Sequence, residues 1–367
     1  MPKLSTDLMK NRRIFIRNFE AGRLLESFIV AAVASVLAIR LFLDLTGYPQ
    51  ISGGGLHVAH VLWGGLLMLA AIIILLSFVG RAAERVAAIA GGLGFGMFID
   101  EVGKFVTSDN NYFFRPAVAV IYVMFILIFL VARAIQTNHN YSDLEYLLNA
   151  LRDMEEVALR DMDEDEKARA LNHLAQCDPR NPLVAHLKES LTSVDLTSPP
   201  RPSIYARVKR LLTDFYQRIA RRPWFTFGVI SFFVVQLAIK IVYVFVLLFF
   251  VGFGWERILE MRLIGHLAGQ MRHLTFIDWA DIASSLLSSL FVLCGVLLIR
   301  RTRLFAYRMF ARSILISIFL TQVFAFYREQ FSALLGLVFN IIILVVLRFM
   351  IDQERLKAES SRKADAV

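Results

Sequence analysis

The stretch Val61–Val79, VLWGGLLMLAAIIILLSFV, runs for 19 residues without a charged side chain. At about 1.5 Å per residue, a helix of this length covers about 30 Å, the thickness of the hydrocarbon core of a bilayer. Strands of a membrane barrel alternate apolar and polar residues over about ten positions, and this stretch does not alternate. It therefore predicts a transmembrane α-helix.

Comparable stretches recur along the chain, which has 367 residues and is 57% hydrophobic. Soluble domains are about 45–50% apolar, so the composition also favours a membrane protein. Eight segments are long and apolar enough to cross a bilayer: 24–45, 56–79, 86–107, 114–135, 224–253, 278–299, 305–327 and 331–351. We predict an all-α, polytopic membrane protein with about eight transmembrane helices.

Polar stretches separate these segments into a 4+4 arrangement. The expected parts are a basic N-terminus (1–23), transmembrane segments 1–4 (24–135), a helical insert with a proline-rich linker (136–203), a basic amphipathic interfacial helix (204–222), transmembrane segments 5–8 (223–351) and a tail (352–367). Two halves of four helices would share one orientation, which leaves a parallel internal repeat open. In that alignment Asp100 and Glu101 stand opposite Thr321 and Gln322.

The distribution of Lys and Arg predicts the orientation. The N-terminus, the loops after segments 2 and 6, and the tail are basic, whereas residues 47–55 contain no Lys or Arg. Basic loops stay in the cytoplasm, so we expect both termini there. The same bias accounts for the net charge of +9 and removes the need for a nucleic-acid partner.

The insert and the interfacial helix suggest partners. Ser142 followed by Glu145 is a capping-box pattern, and Asn181-Pro182 is typical of a helix start. We expect the insert, 136–203, to fold as a small helical domain that could contact a protein partner or a second copy. The basic apolar-faced helix at 204–222 is expected to lie on anionic lipid.

Ionisable residues inside or beside the apolar segments mark a candidate site, because a charge at membrane depth is costly and is usually functional. The predicted topology brings one group to the outer side of the membrane: His57, His60, Asp100, Glu101, Lys104, Tyr112 and Arg115. His57 and His60 are expected one helical turn apart. A second outer group contains Asp278 and Asp281.

Three functions are compatible with the first group. Asp100 and Glu101 suit a cation or proton pathway in which the histidines shuttle protons. His57, His60 and Glu101 also form a sufficient ligand set for a divalent metal such as zinc. In a hydrolytic site, Glu101 would be the base beside that metal. Alternatively, Lys104 and Arg115 merely neutralise the acids.

Glycines 91, 92, 94 and 96 give segment 3 a smooth face, and the Gly92–Gly96 spacing is typical of close helix packing. This spacing predicts that the helix carrying Asp100 and Glu101 lies inside the bundle. Common enzyme motifs such as G-x-S-x-G, the P-loop and H-E-x-x-H are absent from the sequence.

The stretch GMFIDEVGKFVT at Gly96–Thr107, followed by NYFFRP at Asn111–Pro116, resembles a run in uncharacterised bacterial multi-pass membrane proteins. The resemblance implies a bacterial inner membrane and carries no activity. The expected function rests on the first group of ionisable residues, and it is a transporter or permease of an ion or small solute. The alternatives are a membrane-embedded metal-dependent enzyme and a membrane sensor or assembly factor.

Overall fold

The computed structural model describes residues 16–46, 52–53, 56–57, 60–102, 116–137, 141–194, 223–253, 275–299 and 301–364. These residues are helical, apart from turns, short connections and one antiparallel ladder of two-residue strands. The chain divides into two compact units, one formed by residues 1–112 and 124–201 and the other by residues 113–123 and 202–367. The prediction of an all-helical architecture is confirmed.

The elements follow in chain order. They are α1 (Ala21–Thr46), β1 (Ser52–Gly53), β2 (Leu56–His57), α2 (His60–Ser77), α3 (Arg81–Asp100), α4 (Pro116–Thr137), α5 (Asp143–Leu159), α6 (Glu164–Ala175), α7 (Pro182–Thr192), α8 (Pro223–Phe253), α9 (Phe276–Leu298), α10 (Arg303–Ile316), a π-helix (Ser317–Thr321), α11 (Gln322–Glu329), a 3₁₀ turn (Gln330–Ala333) and α12 (Leu334–Ala364).

Six helical stretches of the described chain are long and apolar enough to cross a membrane, as expected of a multi-pass membrane protein. They are Ala21–Leu43, His60–Ser77, Arg81–Asp100, Pro116–Gln136, Phe276–Leu298 and Arg303–Leu356. The large apolar side chains that these helices expose would face lipid rather than water.

The last stretch, Arg303–Leu356, contains 54 residues and doubles back on itself. A straight helix of that length would be about 80 Å long, so its two ends could not touch. Phe310 and Ile314 nevertheless share one buried core with Leu347 and Met350. The chain reverses near Gln330, whose φ of 52° lies in the left-handed region. α10 and α12 are therefore antiparallel neighbours.

Helix α3 packs closely against α1 and α2 through its glycines. A Cβ at Gly94 would lie 2.6 Å from the carbonyl oxygen of Gly64 on α2. A Cβ at Gly92 would collide with the carbonyl oxygen of Phe28 on α1. The hydroxyl of Ser35 also donates to the carbonyl oxygen of Leu93 at 3.0 Å. The predicted glycine-mediated packing of this helix is confirmed.

Two sequence predictions in this region are wrong. Helix α2 begins at His60, and His57 lies in β2 opposite Ser52, so the two histidines do not share a helix face. The ladder pairs Gly53 with Leu56 and leaves two sequence positions between them, both glycine. A Gly-Gly pair favours a tight hairpin over a helix.

The second wrong prediction concerns the bounds of segment 3, which were expected at 86–107. Helix α3 begins at Arg81, earlier than position 86, and ends at Asp100.

The insert forms three helices, α5–α7, and two of them begin where the sequence patterns predict. Ser142 and Glu145 make a capping box at α5, and Asn181 caps α7 with Pro182 in its first turn. A small core of its own includes Met162, Leu174 and Leu191, each fully buried.

The insert is also held to the rest of its unit. The guanidinium of Arg17 donates twice to the carboxylate of Glu145, at 2.7 and 3.0 Å. The side chain of Asn149 bonds the backbone at Arg17 and Phe19, at 2.9 Å each. The arginine contact holds the pKa of Glu145 at about 2, well below its usual value. The segment before α1 is thereby fixed to α5.

The second unit has an apolar core around Phe233 and Phe310, whose rings stack with centroids 4.5 Å apart. Polar side chains cross this unit between helices. Ser288 on α9 and Ser313 on α10 share a hydrogen bond of 2.8 Å, and Asn340 on α12 donates to Gln322 at 3.4 Å. Such bonds fix helix pairs where no water is present.

Candidate functional site

The C-terminal end of α3 carries two buried carboxylates. Asp100 and Glu101 are each only 1% exposed. The glycine face of α3 causes this burial, because it lets α1 and α2 approach the helix closely on two sides. The prediction that this end of the helix lies inside the bundle is therefore confirmed. Buried carboxylates at membrane depth need compensating groups.

The first compensating group is Arg40, on α1. Its Nε donates to Oδ1 of Asp100 at 2.6 Å, and its Nη2 donates to the backbone oxygen of Asp100 at 3.1 Å. The guanidinium thus neutralises the carboxylate and also satisfies a carbonyl at the end of α3, where the helix dipole is negative. Arg40 alone therefore compensates both the carboxylate of Asp100 and the C-terminal end of α3.

The second group is His60, the first residue of α2. Its Nδ1 lies 3.2 Å from Oε1 of Glu101, and its Nε2 lies 3.3 Å from Oδ2 of Asp100. The second contact is at ion-pair distance but is not a hydrogen bond. The imidazole ring therefore bridges the two carboxylates with its two nitrogens.

This bridge makes the cluster sensitive to a single proton. A neutral imidazole has one N–H, so one of its two nitrogens faces a carboxylate without a proton, whereas the imidazolium carries an N–H on each nitrogen and a positive charge between the two carboxylates. With His60 protonated, the formal charges of Arg40, His60, Asp100 and Glu101 cancel. With His60 neutral, the four groups carry one net negative charge. A proton or another small cation would restore the balance.

The other predicted residues fall in different places. Lys104, Tyr112 and Arg115 lie outside the described residues, as does the side chain of His57. Asp278 and Asp281 belong to the second unit. Asp278 completes a capping box with Thr275 at the start of α9, and both aspartates contact the guanidinium of Arg328. They form a second, partly exposed ion cluster.

A metal at His57, His60 and Glu101 remains a prediction. Within the part of the chain that the structure describes, no group of three His, Cys, Asp or Glu side chains is arranged to hold a metal ion. In the described arrangement, both nitrogens of His60 face carboxylates, so neither ring nitrogen is directed at an open ligand position. The metal would have to displace one of these contacts.

No family model, curated protein or solved structure matches the chain. The function must therefore be inferred from the site itself.

Sequence reasoning missed two contributors to the polar network of the first unit. Arg40 is 60 residues from Asp100, and only the close approach of α1 and α3 brings them together. Arg81, the first residue of α3, is buried and contacts Asp153 of α5, whose carboxylate also lies 2.8 Å from Nδ1 of His173. The one sequence signal for both arginines was a basic residue within or at the edge of an apolar segment.

Proposed function

We propose that the protein is a transporter of the bacterial inner membrane that carries a proton or another small cation. Asp100 and Glu101 bind the cation, His60 exchanges the proton, and Arg40 is the permanent counter-charge. The observation that carries the proposal is the imidazole of His60 between two carboxylates that are 1% exposed. Paired ionisable groups buried among transmembrane helices are characteristic of ion and proton pathways.

The burial of the site supports a carrier rather than an open channel. About two turns before Asp100, the backbone of α3 lies against the backbones of α1 and α2 at Gly92 and Gly94. These three helices therefore leave no space between them for an open pore. A carrier binds its ion in a closed site and releases it after a rearrangement. The cluster has the closure that this mechanism requires.

The proposed topology has eight spans in a 4+4 arrangement with both termini in the cytoplasm. Two observations support eight: Arg303–Leu356 doubles back and so provides two spans, and α8 is a 31-residue helix with an apolar core at Phe227–Ile239. The basic loops support the orientation. In this topology the cluster of Asp100, Glu101 and His60 lies toward the outer face.

The test is ion flux in liposomes. Purified protein is reconstituted with a pH-sensitive dye inside, and proton entry is driven by a potassium diffusion potential; a parallel series uses a sodium gradient and a sodium dye. We expect flux above protein-free liposomes, and loss of that flux in Glu101→Gln. The matched control is Glu26→Gln, because Glu26 is an exposed carboxylate near the N-terminal end of α1, whereas Arg40 of the cluster lies toward the C-terminal end.

Two results would refute the transport proposal. One is no flux above protein-free liposomes in either series. The other is flux in Glu101→Gln equal to that of the wild type. Size-exclusion profiles and thermal unfolding of each variant separate a lost site from a lost fold.

One observation favours a second candidate function, the sensing of an outer signal. Helix α3 carries the cluster at its last residue, Asp100, and is held to the insert at its first, where Arg81 contacts Asp153 and Glu84 contacts Arg152. Its 20 residues span about 30 Å. A sensor predicts that Glu101→Gln changes hydrogen exchange in 141–194 while the liposomes show no flux. Unchanged exchange would exclude this function.

A further inference from the structure

Helix α10 buries one face and leaves the opposite face exposed or half-buried. Ala306, Tyr307, Phe310 and Ile314 pack into the core of the second unit, each 2% exposed or less. The exposed or half-buried positions that share the opposite face at helical spacing form a stripe of Leu304, Phe305, Arg308, Arg312 and Leu315. The stripe therefore carries two arginines, Arg308 half-buried and Arg312 exposed.

Three other arginines of the membrane helices each have a carboxylate partner, which Arg308 and Arg312 lack among the described residues. Arg40, Arg81 and Arg328 each contact a carboxylate. Among the described residues, no carboxylate lies within 4.0 Å of Arg308 or Arg312, and Nη1 of Arg312 contacts the sulfur of Met309 at 4.0 Å. A thioether is a weak acceptor and does not balance a charge.

The depth of Arg312 makes that imbalance costly. It lies nine residues after Arg303, or about 13 Å along the helix, inside the stretch that is apolar enough to cross the membrane. An arginine in such a position directs its guanidinium toward the nearest headgroups and draws a counter-ion to it. The planar guanidinium binds phosphate through two parallel hydrogen bonds.

We propose that Arg308 and Arg312 bind the phosphate of an anionic phospholipid in the leaflet where α10 begins. Arg308 lies one turn nearer that surface than Arg312, so both guanidinium groups can reach one headgroup. Phe305 offers an apolar surface beside an acyl chain. The choice of an anionic lipid rests on charge complementarity, since the stripe holds two positive charges and no acid. This site does not depend on the transport proposal.

The test counts the lipids that stay bound to the protein. Purified full-length protein is titrated with phosphatidylglycerol or phosphatidylcholine, and bound lipid is measured by native mass spectrometry. We expect tighter binding of phosphatidylglycerol. Loss of one arginine–phosphate contact should weaken it about fivefold, and R308Q/R312Q about 25-fold.

The control is R160Q/R180Q, which removes the same charge from two exposed positions of the insert. It should leave the lipid affinity unchanged. The proposal is overturned if both lipids bind equally, if R308Q/R312Q binds phosphatidylglycerol like the wild type, or if the control loses as much affinity. It is also overturned if R308Q/R312Q changes the oligomeric mass and not the lipid count, since a second copy would then cover the stripe.

Discussion

Adding one methyl group at Gly64 should separate α2 from α3 and open the carboxylate site. A Cβ at this position would lie 2.6 Å from the carbonyl oxygen of Gly94 and 2.9 Å from the backbone nitrogen of Phe98. These are backbone atoms and cannot turn aside, so ordinary contact at about 3.4 Å requires the helices to move apart by about 0.8 Å.

The expected cost of Gly64→Ala is that of overpacking, about 1–3 kcal/mol of unfolding free energy. In a unit of this size, each kcal/mol lowers the melting temperature by about 2–4 °C. The site should suffer as well, because His60 lies one turn before Gly64 on the same helix. A displacement of about 0.8 Å would lengthen its contacts of 3.2 and 3.3 Å to about 4 Å, at the limit of an ion pair and too long for a hydrogen bond to Glu101.

The matched control is Gly65→Ala, the same substitution one residue along. A Cβ at Gly65 meets no atom within 4 Å, and alanine is the better helix former, so this variant should be as stable as the wild type or more so. Thermal unfolding in detergent, followed by intrinsic fluorescence, compares the two. Equal melting temperatures, or a lower one for Gly65→Ala, would refute the packing argument.

Two further predictions concern ion pairs. Arg40→Gln should cost about 3–5 kcal/mol of unfolding free energy because it leaves Asp100 buried without its counter-charge, and adding Asp100→Asn should restore part of that loss in a double-mutant cycle. The pKa of Glu145 is about 2 in the folded state, against an ordinary value of 4.5. The ionised carboxylate therefore stabilises the fold fully above about pH 4.5, and this contribution to the free energy of unfolding disappears as the pH falls toward 2. The difference in unfolding free energy between the wild type and Glu145→Gln should therefore shrink over that range; a constant difference would show that the Arg17 contact contributes nothing.

Much of the fold follows from local sequence signals. Apolar length predicted the membrane helices, and capping residues such as Ser142 and Asn181 located helix starts in the insert to within a residue. The glycine spacing in α3 correctly placed Asp100 and Glu101 inside the bundle. These signals act within a few residues, so one sequence is enough to recognise them.

The rest of the site depends on contacts between distant residues. Hydrophobicity alone began the second segment at position 56, because it does not distinguish the start of a helix from a short antiparallel ladder. The pairing of Arg40 with Asp100 depends on how closely α1 approaches α3, which periodicity does not report. The sequence marked Asp278 as a candidate site residue because it is an acid beside an apolar segment. In the structure its carboxylate caps α9 and contacts Arg328.

The attachment of Arg17 to Glu145 constrains the order in which the protein can be assembled. The two residues are 128 positions apart, so α1 enters the membrane before the ribosome has made the helix that will hold its leading end. The same holds for Arg81, whose partner Asp153 is 72 positions later. The contacts that hold the starts of α1 and α3 to the insert can therefore form only after α5 has been translated. In a chain halted before position 141, Arg17 and Arg81 would both lack the carboxylates that they contact in the folded protein.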